Sequence, residues 1–484
     1  MLLYSPESIY QLDRSALSYD GLSEIELMQR AGRAAWDALI QRWPETRRIS
    51  VFAGSGNNGG DAYVLALCAQ AEAVEVEFFS RGDLHKQPAS AAHFRTLWQQ
   101  TGGVITPWDN QPISGDVLVD GLLGLGLDRD LDADWQHMLS EINRSGLPLL
   151  ALDIPSGLNA ATGIAQPLAL QATLTVTFIA AKCGQFLADG PDYCGELQIA
   201  GLGLSQAIYQ QVEASLQSIE ATVLPAKRKR NSHKHDFGHL LVIGGDQGMA
   251  GAVALAAHAA LRSGAGLVSA LVHPQTDARS VFPAEVMLQG WDAIESKLAQ
   301  ASVVLVGPGL GDSKLASECL RLLQRVEIPL VVDASALTVD FLSGLQTRQL
   351  VITPHPGEAA RLLSQTSSEV QADRIGSCRQ LVERYPGVCL LKGSGTLVAE
   401  AGSTTRINLQ GNAGLASAGM GDVLGGIIAA FIGQHMNPFD AASSAACIHA
   451  LCAEYYCRDA DETGLIASDI IDLIPRVMRQ LRHD

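Results

Sequence analysis

The residues best placed to do chemistry lie in the second half of the chain, in Gly419-Met420-Gly421-Asp422, which opens the apolar stretch VLGGIIAAF. The glycines free the backbone to turn tightly at a helix start, and the amides of residues 418 to 421 then point outward together as an anion hole. Asp422 falls in the first helical turn, beside that hole. A carboxylate so placed suits a general base that takes a proton from a substrate hydroxyl attacking a phosphate. An ordinary capping Asp is the competing reading, so the motif needs company. Lys392-Gly393-Ser394-Gly395-Thr396 lies between two β-rich stretches, LVERYPGVCLL and LVAEAG. It offers one cation, pliant backbone and hydroxyls, which fit a nucleotide's phosphate or ribose, although a plain hairpin turn has the same composition. In Thr353-Pro354-His355-Pro356-Gly357-Glu358, two prolines hold His355 stiffly. That suits stacking on or hydrogen bonding to a ligand, and equally a structural histidine.

The first half carries its own stations. Gly54-Ser55-Gly56-Asn57-Asn58-Gly59 follows RISVFA and precedes DAYVLALCAQA. This is formally the G-x-G-x-x-G of a dinucleotide site in strand-to-helix context, which admits a redox dehydrogenase. Against it, the spacing puts Asp61 in the first helical turn, where a pyrophosphate needs a positive field. A carboxylate and two Asn side chains better suit a cation or sugar hydroxyls. Asp120 in VLVDGLLGLGLDRD, Asp153 in LLALDIPSG and Ser156 just beyond all fall at strand ends, where open α/β sheets place ligands. Loop or cap roles for Asp120 and Asp153 are the alternative, and their joint occurrence with NNGGD counts against it.

Elements must carry these stations, and the pattern predicts which. Residues 1–45 read as helical, with apolar residues at 3–4 spacing in LSEIELMQRAGRAAWDALIQRW. Short apolar strands then alternate with helical stretches, which predicts a parallel sheet covered on both faces. The pattern lapses over about residues 205–237, and a second α/β series starts at HLLVIGGDQGMAGAVALAAHAALRSGAGLVSAL. The boundary is set near 215, giving domains 1–215 and 216–484. A chain of 484 residues calls for more than one domain of ~100–200 residues. The fold class expected is α/β in both halves: a Rossmann-like three-layer α/β/α domain, then a second α/β domain.

Composition sets limits. A formal charge of −17 disfavours nucleic acid and anionic membrane, so an anionic ligand must be held by local devices. The basic cluster Lys227, Arg228, Lys229, Arg230 and Lys234 reads as a solvated connector. His233 and His235 lack the neighbours of a metal site. Nine cysteines without a C-x-x-C pair read as reduced thiols, and with no signal-like start or run of ~18 apolar residues the expected location is the cytoplasm.

The second half resembles a known family. GMAGAVALAAHAALRSGAGLV, GPGLG, TPHPGE, KGSGT, GNAGLASAGMGDVL and TGLIASDII occur in the order found in the ADP-dependent NAD(P)H-hydrate dehydratases, over about 220–480. The resemblance implies a ribokinase-like fold, ADP as co-substrate with Mg2+, and contacts to the adenylate part of ADP at Lys392, Gly393, Ser394, Gly395, Thr396 and Gly421. It also implies contacts to the hydrated dinucleotide at Ala252, Gly309, His355 and Asp422, with Asp422 as base. Gly248-Met249 departs from the family's aromatic-containing turn. The first half, over about 1–213, resembles the YjeF N-terminal NAD(P)H-hydrate epimerases, through IYQLDRSAL, IELMQRAG, NNGGD and AAKCGQFLADG. That resemblance implies dinucleotide contacts at Asn57, Asn58, Gly59, Gly60, Asp61, Gly124, Leu125, Gly126, Leu127, Asp128, Arg129, Asp130 and Asp153. It implies a potassium ion held by Asn58, Asp120 and Ser156, and hard oxygen ligands suit one. Asp153 is the expected acid/base. The expected function is thus repair of NADH and NADPH hydrates by a fused epimerase–dehydratase, and relatives imply a homo-oligomer. A ribokinase-type kinase for a small metabolite, with an N-terminal binding module, is the alternative.

Overall fold

The computed structural model describes residues 1–127, 130–219, 223–276 and 279–483. The chain divides into two compact units, Met1–Leu216 and Gln217–Asp484.

In the first unit, seven parallel strands form one sheet in the order Thr106–Pro107, Glu75–Ser80, Arg48–Ala53, Val117–Gly121, Leu149–Leu152, Leu174–Phe178, Glu196–Ala200. Side chains alternate across a strand, and here they alternate between two cores. Val51, Phe78, Val119 and Leu150 pack with helices Glu24–Arg42, Asn57–Ala71 and Ala89–Gln100, while Phe52, Phe79, Leu118 and Ala151 pack with Ala133–Arg144. The sheet is therefore covered on both faces. From Arg48–Ala53 the chain goes first to one neighbour and later to the other. The switch point lies between Arg48–Ala53 and Val117–Gly121, and the loops after these two strands frame a ligand crevice. The predicted helical stretch at the start is broken. Leu2–Tyr4 is a strand paired in parallel with Ala181–Lys182, followed by helices Pro6–Ser18 and Glu24–Arg42. Ser23 and Glu26 close the second helix's start with reciprocal hydrogen bonds.

In the second unit the sheet runs Met287–Gly290, Leu267–Val272, His239–Ile243, Val303–Val306, Leu330–Val332, Leu350–Ile352, Val388–Leu391, Leu397–Glu400, Arg406–Ile407. It is parallel as far as Val388–Leu391, and the last two strands are antiparallel. Leu391 faces Leu397 across the hairpin that displays Lys392 to Thr396. Helix Met420–Gly433 is buried along nearly its whole length and lies against Ala250–Arg262. Gly426 permits that approach: a Cβ there would stand 2.2 Å from the Ala256 carbonyl oxygen. The helix that carries Asp422 is thus anchored in the core, not laid on the surface.

Candidate active sites

Each unit gathers its stations at the carboxyl ends of its strands. In the second unit, Gly419 adopts φ +85° and starts helix Met420–Gly433, with Asp422 in its first turn. The first N–H groups of a helix have no intrahelical partner, and they carry the positive end of its dipole. Lys392 reaches this helix start from the hairpin. A Cβ on Gly421 would lie 3.4 Å from Lys392 Nζ and 3.6 Å from Asp333 Oδ2, so the lysine and the acid come into contact range of the helix start. Lys392 Nζ pairs with Asp333 Oδ1 at 2.8 Å and stands 3.8 Å from Glu358 Oε2. Burial works against its ammonium, but Asp333 and Glu358 outweigh burial and raise it above its ordinary value. Asp422 is pushed up to about 6, first by burial and then by Asp333, with Lys392 opposing. A base near that value is well placed for proton transfer close to neutral pH.

Gly309 (φ +55°) comes against Met249 and Ala252: an added Cβ would meet the Met249 carbonyl oxygen at 2.6 Å and the Ala252 Cβ at 3.3 Å. The same glycine turn touches the acid cluster, since a Cβ on Gly307 would collide with the Asp333 carbonyl oxygen. His355 caps helix Pro356–Leu363. Its Nδ1 accepts from Gly357 N at 3.0 Å and Glu358 N at 3.3 Å, and Glu358 Oε2 accepts from His355 N at 2.8 Å. Only its Nε2 side remains for a ligand, with Glu358 Oε1 3.4 Å away.

In the first unit the crevice encloses about 960 Å³ and is lined by Asn57, Asn58, Asp61, Gly124 to Leu127 and Asp153. The two loops that frame it touch. A Cβ on Gly54 would meet the Leu122 carbonyl oxygen at 1.9 Å, and one on Gly59 the Gly54 carbonyl oxygen at 2.1 Å. Beneath them, Asp120 accepts from Ser156 Oγ at 2.6 Å, Ser156 N at 2.7 Å and Leu122 N at 3.1 Å. Burial pushes Asp120 up to about 6 despite those bonds. Asn58 donates to the Leu123 carbonyl at 3.0 Å, yet its own buried Oδ1 has no partner among the described residues.

Asp153 stands at φ +65°, a backbone conformation that is strained for a side chain of its kind and typical of functional sites. It is over-determined. Its Oδ1 accepts from Phe178 N at 3.0 Å and pairs with the fully buried Lys182, whose Nζ also donates to Thr177 Oγ1 and the Phe178 carbonyl at 2.8 Å each. Gln185 Nε2 donates to the Asp153 carbonyl at 2.9 Å. Two other acids of the crevice lining are shifted as well. Burial, with Asp153 adding, pushes Asp61 well above its ordinary value and Asp13 up to about 6.

A family model described as NAD(P)H-hydrate dehydratase matches residues 240–476, and one described as YjeF-related protein N-terminus matches residues 24–184. A bifunctional NAD(P)H-hydrate repair enzyme of Coxiella burnetii is 40% identical over 478 residues, covering 97% of this chain and 98% of that protein. The chain belongs to the family of bifunctional NAD(P)H-hydrate repair enzymes. The Escherichia coli member is 38% identical over 482 residues, 98% of this chain and 93% of its own. Among solved structures, a hypothetical protein of Streptococcus mutans has a TM-score of 0.51 and 28% identity, covering 55% of this chain and 99% of that one. The resemblance read from the motifs is borne out, as is the α/β fold class of both units, the first Rossmann-like.

The repair-family motifs are not all equally close to the crevices. Asn57, Asn58, Asp61, Gly124, Leu125, Gly126, Leu127 and Asp153 line the first, and Asp120 and Ser156 lie directly behind it. Gly59 and Gly60 face protein instead, Gly54 and Met28 respectively. Asp130 is exposed and outside the crevice lining, while Asp128 and Arg129 lie outside the described residues. Asp61 corrects an expectation. The helix begins at Asn57, so Asp61 sits in its second turn, buried, away from the positive end. The sequence alone assigned no role to Asp333, Glu358, Lys182, Asp13 or Arg374. Asp333 ends an apolar strand in PLVVD, the same signal that drew attention to Asp120 and Asp153. Lys182, alone in an apolar run, was a buried cation in need of a partner.

Proposed function

We propose that the chain repairs hydrated NADH and NADPH in two steps: the first unit interconverts the R and S hydrates, and the second dehydrates the S form, consuming ADP and releasing AMP and phosphate. The observation that carries this reading is the meeting of Asp422, Lys392 and Asp333 at the mouth of a helix whose amides face outward.

In the second unit the turn Lys392 to Thr396, with Gly421, holds the ADP phosphates, and Ala252, Gly309, His355 and Asp422 contact the hydrate. Asp422 takes the proton of the C6 hydroxyl as that oxygen bonds to the terminal phosphorus and the bridge to AMP breaks. Phosphate is a far better leaving group than hydroxide. The ring nitrogen's electron pair expels it, and loss of a C5 proton restores the dihydropyridine. General-base help is worth ~10²–10⁴ in rate. Mg2+ fits here. Asp333, Glu358 and Asp422 outnumber the one ammonium beside them, and Mg2+ is usually bound through one or two carboxylates plus substrate phosphates. Asp333 and Glu358 would hold it, and its role is to neutralise charge on the phosphates.

In the first unit, inversion at C6 requires C–O cleavage to a planar ring cation and return of water from the opposite face. Asp153, locked by Lys182 and Gln185, is the acid/base. Potassium fits the oxygens behind it, because the buried Asn58 Oδ1 lacks a partner while Asp120 and Ser156 supply oxygens alongside. That ion would anchor both glycine loops. The reading is tested by giving the protein an R/S mixture of NADH hydrate with ADP and Mg2+. Complete recovery of reduced-nicotinamide absorbance supports both steps, recovery of only the S fraction removes the first, and recovery without nucleotide removes the second.

A further inference from the structure

In the turn Lys392 to Thr396 the carbonyls and the amides are partnered very differently. Carbonyls find partners within the protein. Gly393 O accepts from the Thr396 hydroxyl at 2.9 Å and Thr396 O from Asn408 N at 2.8 Å. Lys392 O and Gly395 O each accept from Arg374 Nη2 at 3.3 Å, and Leu391 O from the same nitrogen at 3.5 Å. By contrast, the amides of Gly393, Ser394, Gly395 and Thr396 have no hydrogen-bond partner among the described residues. Successive amides pointing one way form a concave site for an anion.

Arg374 lies beneath this turn and is 3% exposed. Its Nη1 donates to Gln371 Oε1 at 2.8 Å, its Nε has no partner, and no carboxylate pairs with it among the described residues. Buried charges are ordinarily paired. Burial lowers this guanidinium only to about 10, so it keeps its charge at neutral pH. Gly393 rests directly on it: at φ +136°, an added Cβ would stand 2.7 Å from Nη1.

We propose that Arg374 is a positioning residue of the phosphate site, acting from below the turn. Its guanidinium draws the carbonyls down so that four amides face the nucleotide, and it lends the turn a positive charge that the arriving phosphates answer. This rests on the reading of Lys392 to Thr396 as the nucleotide turn. It also explains how a chain of charge −17 attracts a polyanion at this spot.

The test compares full-length Arg374→Gln and Arg374→Lys with the parent protein. The measurements are binding of ADP and of adenosine, and the KM for ADP in dehydration. The expected result for Arg374→Gln is an ADP KM raised about tenfold or more, with adenosine affinity unchanged and a weaker salt dependence of ADP binding. Arg374→Lys, which keeps the charge but not the planar fork, falls between. If Arg374→Gln fails to fold, the lysine variant decides: higher ADP KM with intact adenosine binding supports the proposal. Equal loss for ADP and adenosine, or no loss for either, overturns it. If the parent protein itself binds no ADP, the nucleotide reading fails before Arg374 is at issue.

Discussion

Asp422 is raised to about 6 by burial and by the neighbouring Asp333. A general base acts when ionised, so the raised value confines activity to the neutral side. We expect kcat/KM for dehydration to be flat above about pH 6 and to fall about tenfold per unit below it. A profile that stays flat down to the ordinary carboxylate range would remove Asp422 from that role. Asp422→Asn should cut dehydration by ~10²–10⁴ while R/S exchange continues. Asp153→Asn should slow R/S exchange, followed by the ratio of the two hydrates, and leave dehydration of the S form intact. Asp422, Lys392 and Asp153 were legible because each sits in a short motif whose neighbours advertise a turn. Asp333, Glu358 and Arg374 were not, because what makes them important is contact across the sheet: Asp333 meets a lysine 59 positions on, and Arg374 meets carbonyls of the following hairpin.

Strands and helices were read well from their apolar periods, and their breaks less well. The opening stretch reads as helix by spacing, yet Leu2–Tyr4 forms a strand because Ala181–Lys182 offers it a parallel partner. No local pattern announces a partner so far along the chain. The helix after the glycine loop starts two residues before the last glycine of its motif, which moved Asp61 into the second turn. What the glycines do is clearer in space than in sequence. The two crevice loops of the first unit touch at Gly54, where a Cβ would intrude to 1.9 Å from the Leu122 oxygen. We expect Gly54→Ala to force the loops apart and to abolish R/S exchange, with dehydration as the control for folding of the second unit. Exchange at the parent rate would show that the close approach is dispensable. Close packing also governs the helix behind Asp422. Gly426→Val should lower stability by about 1–3 kcal/mol, read as an earlier unfolding transition.

For the whole molecule, the proposed function gives two reactions to two sets of oxygen donors that differ in the cation they suit. Replacing potassium by sodium, or Asn58 by Ala, should slow R/S exchange and spare dehydration. A chelator of Mg2+ should do the reverse. A single treatment that stops both reactions in folded protein would contradict the division. Division into two units was legible from the lapse in α/β pattern near residue 215, whereas the net charge only directs attention to local anion devices. The most direct measurement of the central claim gives the S hydrate of NADH, with ADP and Mg2+, to the parent chain and to Asp422→Asn. Reduced-nicotinamide absorbance, AMP release and ADP binding are followed together. The account predicts absorbance and AMP rising in step for the parent protein, and for the variant retained ADP binding with neither product. Absorbance restored by Asp422→Asn at the parent rate, or restored without AMP, would contradict it.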